Sequence, residues 1–175
     1  PESKGDVLLH SRDQVMFFSD NVSRGPQLAS LVGALRSQAR VGELAKVVSI
    51  TGAARLPGSF PIATGMRISD LINAAGGLTP DYADLDYALL VREDLVDEGD
   101  VKVLGIDLRA VFDDIGGRDD LTLQAKDALV LFTVKQNKEA ALTGLIIKLK
   151  AQTKLAEPAK IVASGGTVRF PGEYP

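Results

Sequence analysis

Apolar positions in the central part of the chain follow strand spacing on either side of one helical stretch. Residues 47–61, VVSITGAARLPGSFP, join an apolar run to a Pro57-Gly58 step. Proline presets φ for the first position of a turn, and glycine accepts positive φ at the second. This stretch therefore predicts a strand, a turn and the start of a second strand.

The helical stretch is residues 66–78, MRISDLINAAGGL. Four apolar residues share one face at i, i+3, i+4 and i+7, namely Ile68, Leu71, Ile72 and Ala75. Ser69 is the predicted N-cap, and Gly76 or Gly77 supplies the left-handed residue that ends the helix.

The remaining central segments are predicted as a loop, two strands, a helical turn and a closing strand pair. They are residues 79–87, 88–93, 101–106, 107–112 and 120–132. The element order is β-β-α-β-β, a short turn and a final β pair. A single helix on one face of a mixed sheet belongs to the α+β class. We predict a β-grasp fold, the ubiquitin-like roll, with connector helices and partial flanking repeats.

Residues 6–61 align with residues 120–175 without a gap, at an offset of 114 positions, and 17 of the 56 aligned positions are identical. Unrelated segments would share far fewer identities, so the chain contains an internal repeat. The identical positions include Asp13 and Asp127, which both stand at a predicted turn. We expect their carboxylates to accept backbone N–H groups there.

The repeat predicts five segments. These are closing strands of a preceding unit in 1–25, a connector helix in 26–45, a complete unit in 46–133, a connector helix in 138–157 and opening strands of a following unit in 160–175. The strands expected at 6–18 and 161–175 would have bare edges, which recruit other strands. We expect them to pair with each other or with a second chain, and we predict self-association with neighbouring β-grasp units.

Both connector helices carry basic residues near their C-terminal ends: Arg36 and Arg40 in the first, and Lys148, Lys150 and Lys154 in the second. Cations at this end complement the helix dipole. A solvated helix face and a contact with an acidic partner surface both remain open.

Composition narrows the class of protein. Hydrophobic residues make up 45% of the chain and charged residues 25%, as in ordinary globular proteins. The formal net charge of −3 argues against nucleic-acid binding, which favours a basic surface. Cysteine is absent, which removes disulfides and thiolate metal sites. No apolar run has the length needed to span a bilayer.

The sequence gives little support to catalysis, and we predict no enzyme, no cofactor and no metal site. His10 is the one histidine, and its repeat counterpart is Gln124. The glycine pairs match no phosphate-binding motif. Acidic clusters occur at residues 93–100, including Asp94, Asp97 and Glu98, and at residues 113–120. They lack the spacing of a calcium loop, and we interpret them as solvated loop tips.

Residues 47–132 resemble the soluble-ligand-binding β-grasp domain. Its pattern is a strand leading to Gly-x-Val and Pro-Gly-x-aromatic, a helix ending Ala-Gly-Gly, a strand ending in arginine and a closing Leu-x-x-x-Asp-x-Val. The matching residues are Gly52, Pro57, Gly58, Phe60, Ala75, Gly76, Gly77, Arg92, Leu123, Asp127 and Leu129. Ala54 stands where the family usually has valine, which the second copy keeps as Val168.

Tandem copies joined by connector helices resemble the periplasmic region of polysaccharide export proteins. These outer-membrane components pass capsule or exopolysaccharide out of Gram-negative bacteria. The resemblance implies a periplasmic structural module of a transport protein, with ring-shaped oligomers around a channel and polysaccharide as a possible partner.

A ligand-binding role is the alternative. Tyr82 and Tyr87 lie among carboxylates in the predicted loop, and Arg55 and Arg92 are the basic residues grouped with them. Aromatic faces with flanking carboxylates are suited to holding a sugar. Packing in a core or interface is the other interpretation of the two tyrosines.

Overall fold

The computed structural model describes residues 8–19, 22, 24–40, 43–93, 100–153, 158–168 and 170–175. The predictions that concern Asp94, Asp97, Glu98, Lys154 and Arg169 lie outside the described residues.

The described chain contains four helices and seven strands. The helices are α1 (Gly25–Ser37), α2 (Ile68–Ala74), α3 (Leu108–Asp113) and α4 (Lys138–Ala151). The strands are β1 (Val47–Thr51), β2 (Gly58–Pro61), β3 (Ala83–Glu93), β4 (Val101–Ile106), β5 (Ala128–Thr133), β6 (Val162–Ser164) and β7 (Gly172–Tyr174).

Strands β1 to β5 form one mixed sheet in the order β2-β1-β5-β3-β4. β1 and β2 form the predicted antiparallel hairpin, and β5 returns to lie parallel to β1 at the centre of the sheet. β3 and β4 complete the other half as antiparallel neighbours. The predicted α+β class and the β-grasp arrangement are confirmed.

The main core lies between the sheet and α2. Ile68 and Leu71 of α2 are fully buried against Ile50 of β1, Leu90 of β3 and Leu129 of β5. Burial of each such side chain contributes about 1.5–3 kcal/mol. Leu28 and Val32 of α1 extend the same core where α1 packs against β2.

Helix α2 ends where the sequence predicts but begins differently. Gly76 and Gly77 both have positive φ, and the Gly77 N–H donates to the Ile72 carbonyl at 2.9 Å. The prediction of Ser69 as N-cap is wrong, because the helix begins at Ile68. The Ser69 N–H and hydroxyl both donate to the buried Asp120 carboxylate, which fixes the first turn of α2 from outside the helix.

The loop predicted at residues 79–87 is shorter than expected, since β3 begins at Ala83. The register of β3 against β5 shifts between Ala83 and Ala88. Asp84 and Asp86 interrupt the apolar pattern in this stretch, which is why its sequence is typical of a loop. Their carboxylates instead form ion pairs with Lys138 and Arg109.

The opposite face of the sheet is covered by α4 and by the β6–β7 hairpin. Leu89 of β3 and Phe132 of β5 lie on this face, and Leu142 and Ile146 of α4 pack against them. Ile161, which precedes β6, and Tyr174, the last residue of β7, are partly buried in the same cluster. The sheet is therefore buried on both faces, by α2 and α1 on one side and by α4 and the β6–β7 hairpin on the other.

The β6–β7 hairpin reproduces the β1–β2 hairpin. Val162 pairs with Tyr174 as Val48 pairs with Phe60, which are the equivalent positions in the repeat. Gly166 has a φ of 80°, and its counterpart Gly52 has 81°. The second copy thus repeats the strand pairing of the first and the backbone conformation at this glycine.

The expectation of strands at residues 6–18 is wrong for the part that the structure describes. Residues 8–19 form a turn at Ser11 and Arg12 but no strand. The equivalent segment forms β5 because β1 and β3 lie on either side of it. Within the described residues, residues 8–19 have no such neighbours, and their backbone groups are left without a ladder.

The helical parts of the connector segments are shorter than the predicted segments 26–45 and 138–157. α1 ends at Ser37 and α4 ends at Ala151, with Gln38 and Gln152 as equivalent C-caps. The assignment of these segments as connectors between repeat units stays a prediction.

Candidate functional site

The first group of interacting polar residues surrounds the turn before β5. Asp127 is fully buried, and its two carboxylate oxygens accept from Arg92 Nε at 2.9 Å and Arg92 Nη2 at 2.7 Å. The Gln124 N–H donates to the same carboxylate at 2.8 Å. Arg92 Nη2 also donates to the Thr122 carbonyl. We call this set the turn network; it ties the end of β3 to the start of β5.

The equivalent turn in the first copy has the same backbone form. The His10 N–H donates to the Asp13 carboxylate at 2.7 Å, as the Gln124 N–H does to Asp127. Arg12 and Lys126, at equivalent positions, both have positive φ, at 76° and 67°. The turn conformation is therefore the same in both copies, and in the central unit Arg92 adds its contact with the carboxylate.

The second group lies between the sheet and the segment that follows it. Lys138 is the first residue of α4 and is only 8% exposed. Its Nζ lies 2.9 Å from Asp84 Oδ2 and within 5.3–5.8 Å of three ring centroids, those of Tyr87, Phe132 and Phe170. We call Asp84, Tyr87, Phe132, Lys138 and Phe170 the cation–aromatic joint. A desolvated ammonium over aromatic faces is held by each ring quadrupole and by the carboxylate together.

Tyr87 is the centre of this joint. Its ring lies 5.3 Å from the Phe132 ring and 6.4 Å from the Tyr174 ring, measured between centroids. Burial, followed by the proximity of Tyr174, raises the pKa of Tyr87 above its ordinary value. The sequence left open whether Tyr87 holds a sugar or packs in a core or interface. Its position fits packing at an interface.

The joint has a partial counterpart in the first copy. Arg24 and Lys138 are equivalent in the repeat, as are Phe18 and Phe132. The Arg24 Cζ lies 5.4 Å from the Phe18 ring centroid. In both copies, therefore, a cation near the start of a helix (α1 or α4) lies over the equivalent phenylalanine ring. Sequence analysis missed Lys138, although this pairing of a basic with an aromatic position was visible in the alignment.

The structure does not bring the four residues of the ligand hypothesis together. Tyr87 and Arg92 project from opposite faces of β3, since Tyr87 packs in the joint and Arg92 pairs with Asp127. Tyr82 is exposed near the other end of β5, where its carbonyl accepts from the Val134 N–H. Arg55 is an exposed residue of the β1–β2 connection, and its N–H donates to the Gly77 carbonyl.

A groove elsewhere on the domain is a better candidate for a ligand. It lies between the end of α1 and the N-terminal part of β1, and has a cavity volume of about 420 Å³. Its lining includes the apolar Val47 and the polar residues Arg36, Ser59, Glu93, Lys126 and Asp127. Arg36 Nη2 donates to Ser59 Oγ at 3.1 Å, and Lys126 Nζ donates to Glu93 Oε2 at 2.8 Å. Lys126 is therefore paired with a carboxylate, while Arg36 beside the Ser59 hydroxyl suits an anionic or hydroxylated ligand.

Potential metal-ligating side chains do not cluster in the described part of the chain. No group of three potential metal-ligating side chains is close enough to hold an ion within the described ranges. His10 is exposed and contacts only the Asp13 carboxylate among the described ion pairs, at 3.8 Å. The buried Asp120 accepts from Ser69 and from the Gly116 N–H. These hydrogen bonds join the segment before β5 to the start of α2.

Lys138→Ala is expected to release α4 and the β6–β7 hairpin from the sheet. The substitution removes a desolvated cation–π contact worth about 2 kcal/mol and leaves Asp84 without its ammonium partner. Hydrogen exchange measured residue by residue should become faster in α4 and in β6–β7, while the amides of β1 and β5 keep their protection.

Lys150→Ala is the matched control, because Lys150 pairs with Glu173 in the same part of the molecule but about half of its side chain is exposed. Exposed pairs contribute roughly 0–1 kcal/mol, so this variant should exchange like the wild type. Equal acceleration by both substitutions would show that the joint has no special role.

Comparison with known families assigns the centre of the chain. Residues 47–107 match the family model of the SLBB domain. This stretch covers β1 to β4 and α2. It includes Tyr82, Tyr87 and Arg92, but it ends before the β5 turn and Lys138. No curated protein matches the chain in a sequence search. None of the helices in the described part of the chain is long and apolar enough to cross a bilayer.

Proposed function

We propose, from the SLBB domain at residues 47–107, that the chain is a structural and interaction module of an outer-membrane polysaccharide export protein. In this proposal it lies in the periplasm and contributes to the assembly of an oligomeric channel. The observation that carries the proposal is the joint around Lys138. Through it, the domain's sheet holds α4 and the β6–β7 hairpin, whose sequence repeats that of β1 and β2.

The physical argument concerns the second face of the sheet. Leu89 and Phe132 would be exposed there if the central unit stood alone, because α2 covers only the other face. Repeat proteins bury such faces by stacking each unit on its neighbour. A rigid contact between successive units suits a protein that has to hold a defined path across the periplasm, and it requires no catalytic residue. We therefore propose that the chain is not an enzyme.

The test of this role is made in the organism that carries the gene. Deletion should abolish cell-surface polysaccharide, and the wild-type gene should restore it. A gene encoding Lys138→Ala should restore markedly less polysaccharide than one encoding Lys150→Ala, at equal protein levels. Normal surface polysaccharide in the deletion strain would contradict the export role.

Location is tested separately by cell fractionation. We expect the protein to be released with the periplasm or to remain with the outer membrane, and recovery in the cytoplasm would contradict the proposal. This result does not depend on which polymer the cell exports.

The groove beside Arg36 favours a second candidate function, the binding of a soluble ligand or glycan. Arg36, which donates to a neutral hydroxyl there, suits a carboxylate, so an acidic oligosaccharide containing uronate residues is the appropriate probe. Titration followed by NMR should shift the amides of Ser49 and Ser59, which line the groove. Shifts confined to Tyr82 would instead favour the original loop hypothesis, and shifts at neither place would exclude both.

Arg36→Gln is expected to weaken this binding about tenfold, because a hydrogen bond between charged groups contributes about 1.5–3 kcal/mol and 1.4 kcal/mol corresponds to a factor of ten. Lys150→Gln is the matched control, since Lys150 is the repeat equivalent of Arg36 but does not line the groove. A neutral oligosaccharide of equal length should show no dependence on Arg36.

A further inference from the structure

One polar contact at the groove has an equivalent in the second copy of the repeat. Arg36 and Lys150 are equivalent positions, and so are Ser59 and Glu173. Arg36 Nη2 donates to Ser59 Oγ at 3.1 Å, and Lys150 Nζ donates to Glu173 Oε2 at 2.6 Å. Each contact joins the last turn of a helix, α1 or α4, to the second strand of a hairpin, β2 or β7. The same two positions therefore meet in both copies.

The two contacts differ in charge. Glu173 supplies a carboxylate to Lys150, whereas Ser59 offers Arg36 only a neutral hydroxyl. A guanidinium is always charged in proteins, and its fork of N–H donors matches the two oxygens of a carboxylate. The first copy therefore has the cation of the pair without the anion.

Arg36 differs in this respect from the other charged residues that line the groove. Lys126 pairs with Glu93 at 2.8 Å, and Asp127 pairs with Arg92 at 2.7 Å. Among the described residues of the groove lining, Arg36 is thus the one charged side chain without an oppositely charged partner. A ligand that brings one negative charge would balance it.

Two hydroxyl groups belong to the same part of the groove. Ser49 and Ser59 lie directly opposite each other in the β1–β2 pair, and both line the groove. Side chains at such positions have Cβ atoms about 4.5–5.5 Å apart, which is within the span of one sugar ring. The Ser59 oxygen accepts from Arg36, so its O–H can donate to a ligand. The equivalent residues in the second copy, Ala163 and Glu173, have no hydroxyl.

We infer that Ser59 makes the groove specific for a sugar that carries a carboxylate, a uronate. The carboxylate of the ligand takes the place beside Arg36 that the Glu173 carboxylate takes beside Lys150. Ser49 and Ser59 contact hydroxyl groups of the same sugar. A phosphate monoester fits less well, because it carries up to about two negative charges and the groove has one unbalanced cation. The inference rests on the ligand-binding role proposed for the groove and is independent of the export role.

Ser59→Glu is expected to close the groove to acidic ligands. The new carboxylate pairs with Arg36, as Glu173 does with Lys150, and repels the carboxylate of the ligand. Binding of a uronate trisaccharide, followed by NMR titration at low salt, should weaken about tenfold, the factor expected when one charged hydrogen bond is lost. The variant is expected to fold, because β7 has glutamate at this position with the same strand pairing.

Ser59→Gln is the matched control, because glutamine has the size of glutamate without its charge. It should bind the uronate trisaccharide about tenfold more tightly than Ser59→Glu, whereas a neutral trisaccharide should not distinguish the two variants. Equal weakening of uronate binding by both substitutions would show that side-chain size decides, and it would overturn the inference.

The Nε–H resonance of Arg36 tests the equivalence of ligand and glutamate directly. In the absence of ligand it should differ between Ser59→Glu and Ser59→Gln, because only the first variant supplies a carboxylate. Uronate added to the wild type should move the resonance in the same direction as Ser59→Glu does. Uronate binding that leaves this resonance unchanged would place the carboxylate elsewhere and contradict the inference.

The titrations also separate this inference from the role on which it rests. A wild type that does not bind the uronate trisaccharide would contradict the ligand-binding role itself. A wild type and a Ser59→Glu variant that bind it equally well would support that role and overturn the assignment of Ser59.

Discussion

Asp127→Ala is expected to lower the free energy of unfolding of the central unit by about 3 kcal/mol, the low end for breaking a buried ion pair. The substitution leaves Arg92 without its bidentate partner and removes the acceptor of the Gln124 N–H. About a fifth of the Arg92 side chain reaches solvent, and this exposure is the reason for choosing the low end of the range. Urea unfolding followed by circular dichroism measures the change.

The repeat supplies the control for this prediction. Asp13→Ala removes the equivalent carboxylate from a turn of the same form, but Asp13 is exposed and its ion-pair contact is with exposed His10. It should change the unfolding free energy by less than about 0.5 kcal/mol, as most surface substitutions do. Equal losses of unfolding free energy in the two variants would mean that the carboxylate stabilises only the turn and that its contact with Arg92 adds no stability.

A double variant separates the charge from the packing. Arg92→Met with Asp127→Leu replaces both members of the pair by apolar side chains. Replacement of whole buried pairs is often neutral or stabilising, so the double variant should be more stable than Asp127→Ala. A double variant less stable than the wild type would show that the ion pair contributes net stability in addition to specifying the turn.

The elements that sequence predicted well are those whose pattern is determined locally. The spacing of Ile68, Leu71 and Ile72 marks one face of α2 whatever surrounds it, and Gly76 and Gly77 end the helix through their own backbone freedom. The order of these elements then predicted the β-grasp sheet, because connection rules leave few alternatives.

The start of β3 could not be predicted in the same way, and the grouping of residues in the ligand hypothesis depended on it. Asp84 and Asp86 look like loop residues because their partners, Lys138 and Arg109, are distant in sequence. Since the strand begins at Ala83, alternation sends Tyr87 and Arg92 to opposite faces. These two side chains therefore do not share one surface.

The joint around Lys138 illustrates the same limit at longer range. Tyr87, Phe132 and Phe170 come from three segments that meet only when α4 and the second hairpin pack on the sheet. Composition and periodicity do not show that these three segments pack together. The alignment of Arg24 with Lys138, and of Phe18 with Phe132, was the only sequence signal for it.

Gly52→Ala is expected to have the largest effect of any single substitution considered, a loss of about 4 kcal/mol in the free energy of unfolding, at the level reached by few point mutations. Two costs add at this position. A non-glycine residue in the left-handed region costs roughly 1–2 kcal/mol. The new Cβ would also lie 1.8 Å from the carbonyl oxygen of Leu131, and β5 would have to move away from β1 to accommodate it.

Gly166→Ala separates these two costs, because Gly166 has nearly the same φ but open space around the added Cβ. The Gly166→Ala variant should lose only the cost of a non-glycine residue in the left-handed region, roughly 1–2 kcal/mol, and only within the second hairpin. Hydrogen exchange of β1 and β5 should be unaffected by Gly166→Ala and greatly accelerated by Gly52→Ala. Since the strand that Gly52 accommodates is the central strand of the sheet, a mild Gly52→Ala variant would mean that β5 does not approach β1 as closely as the structure shows.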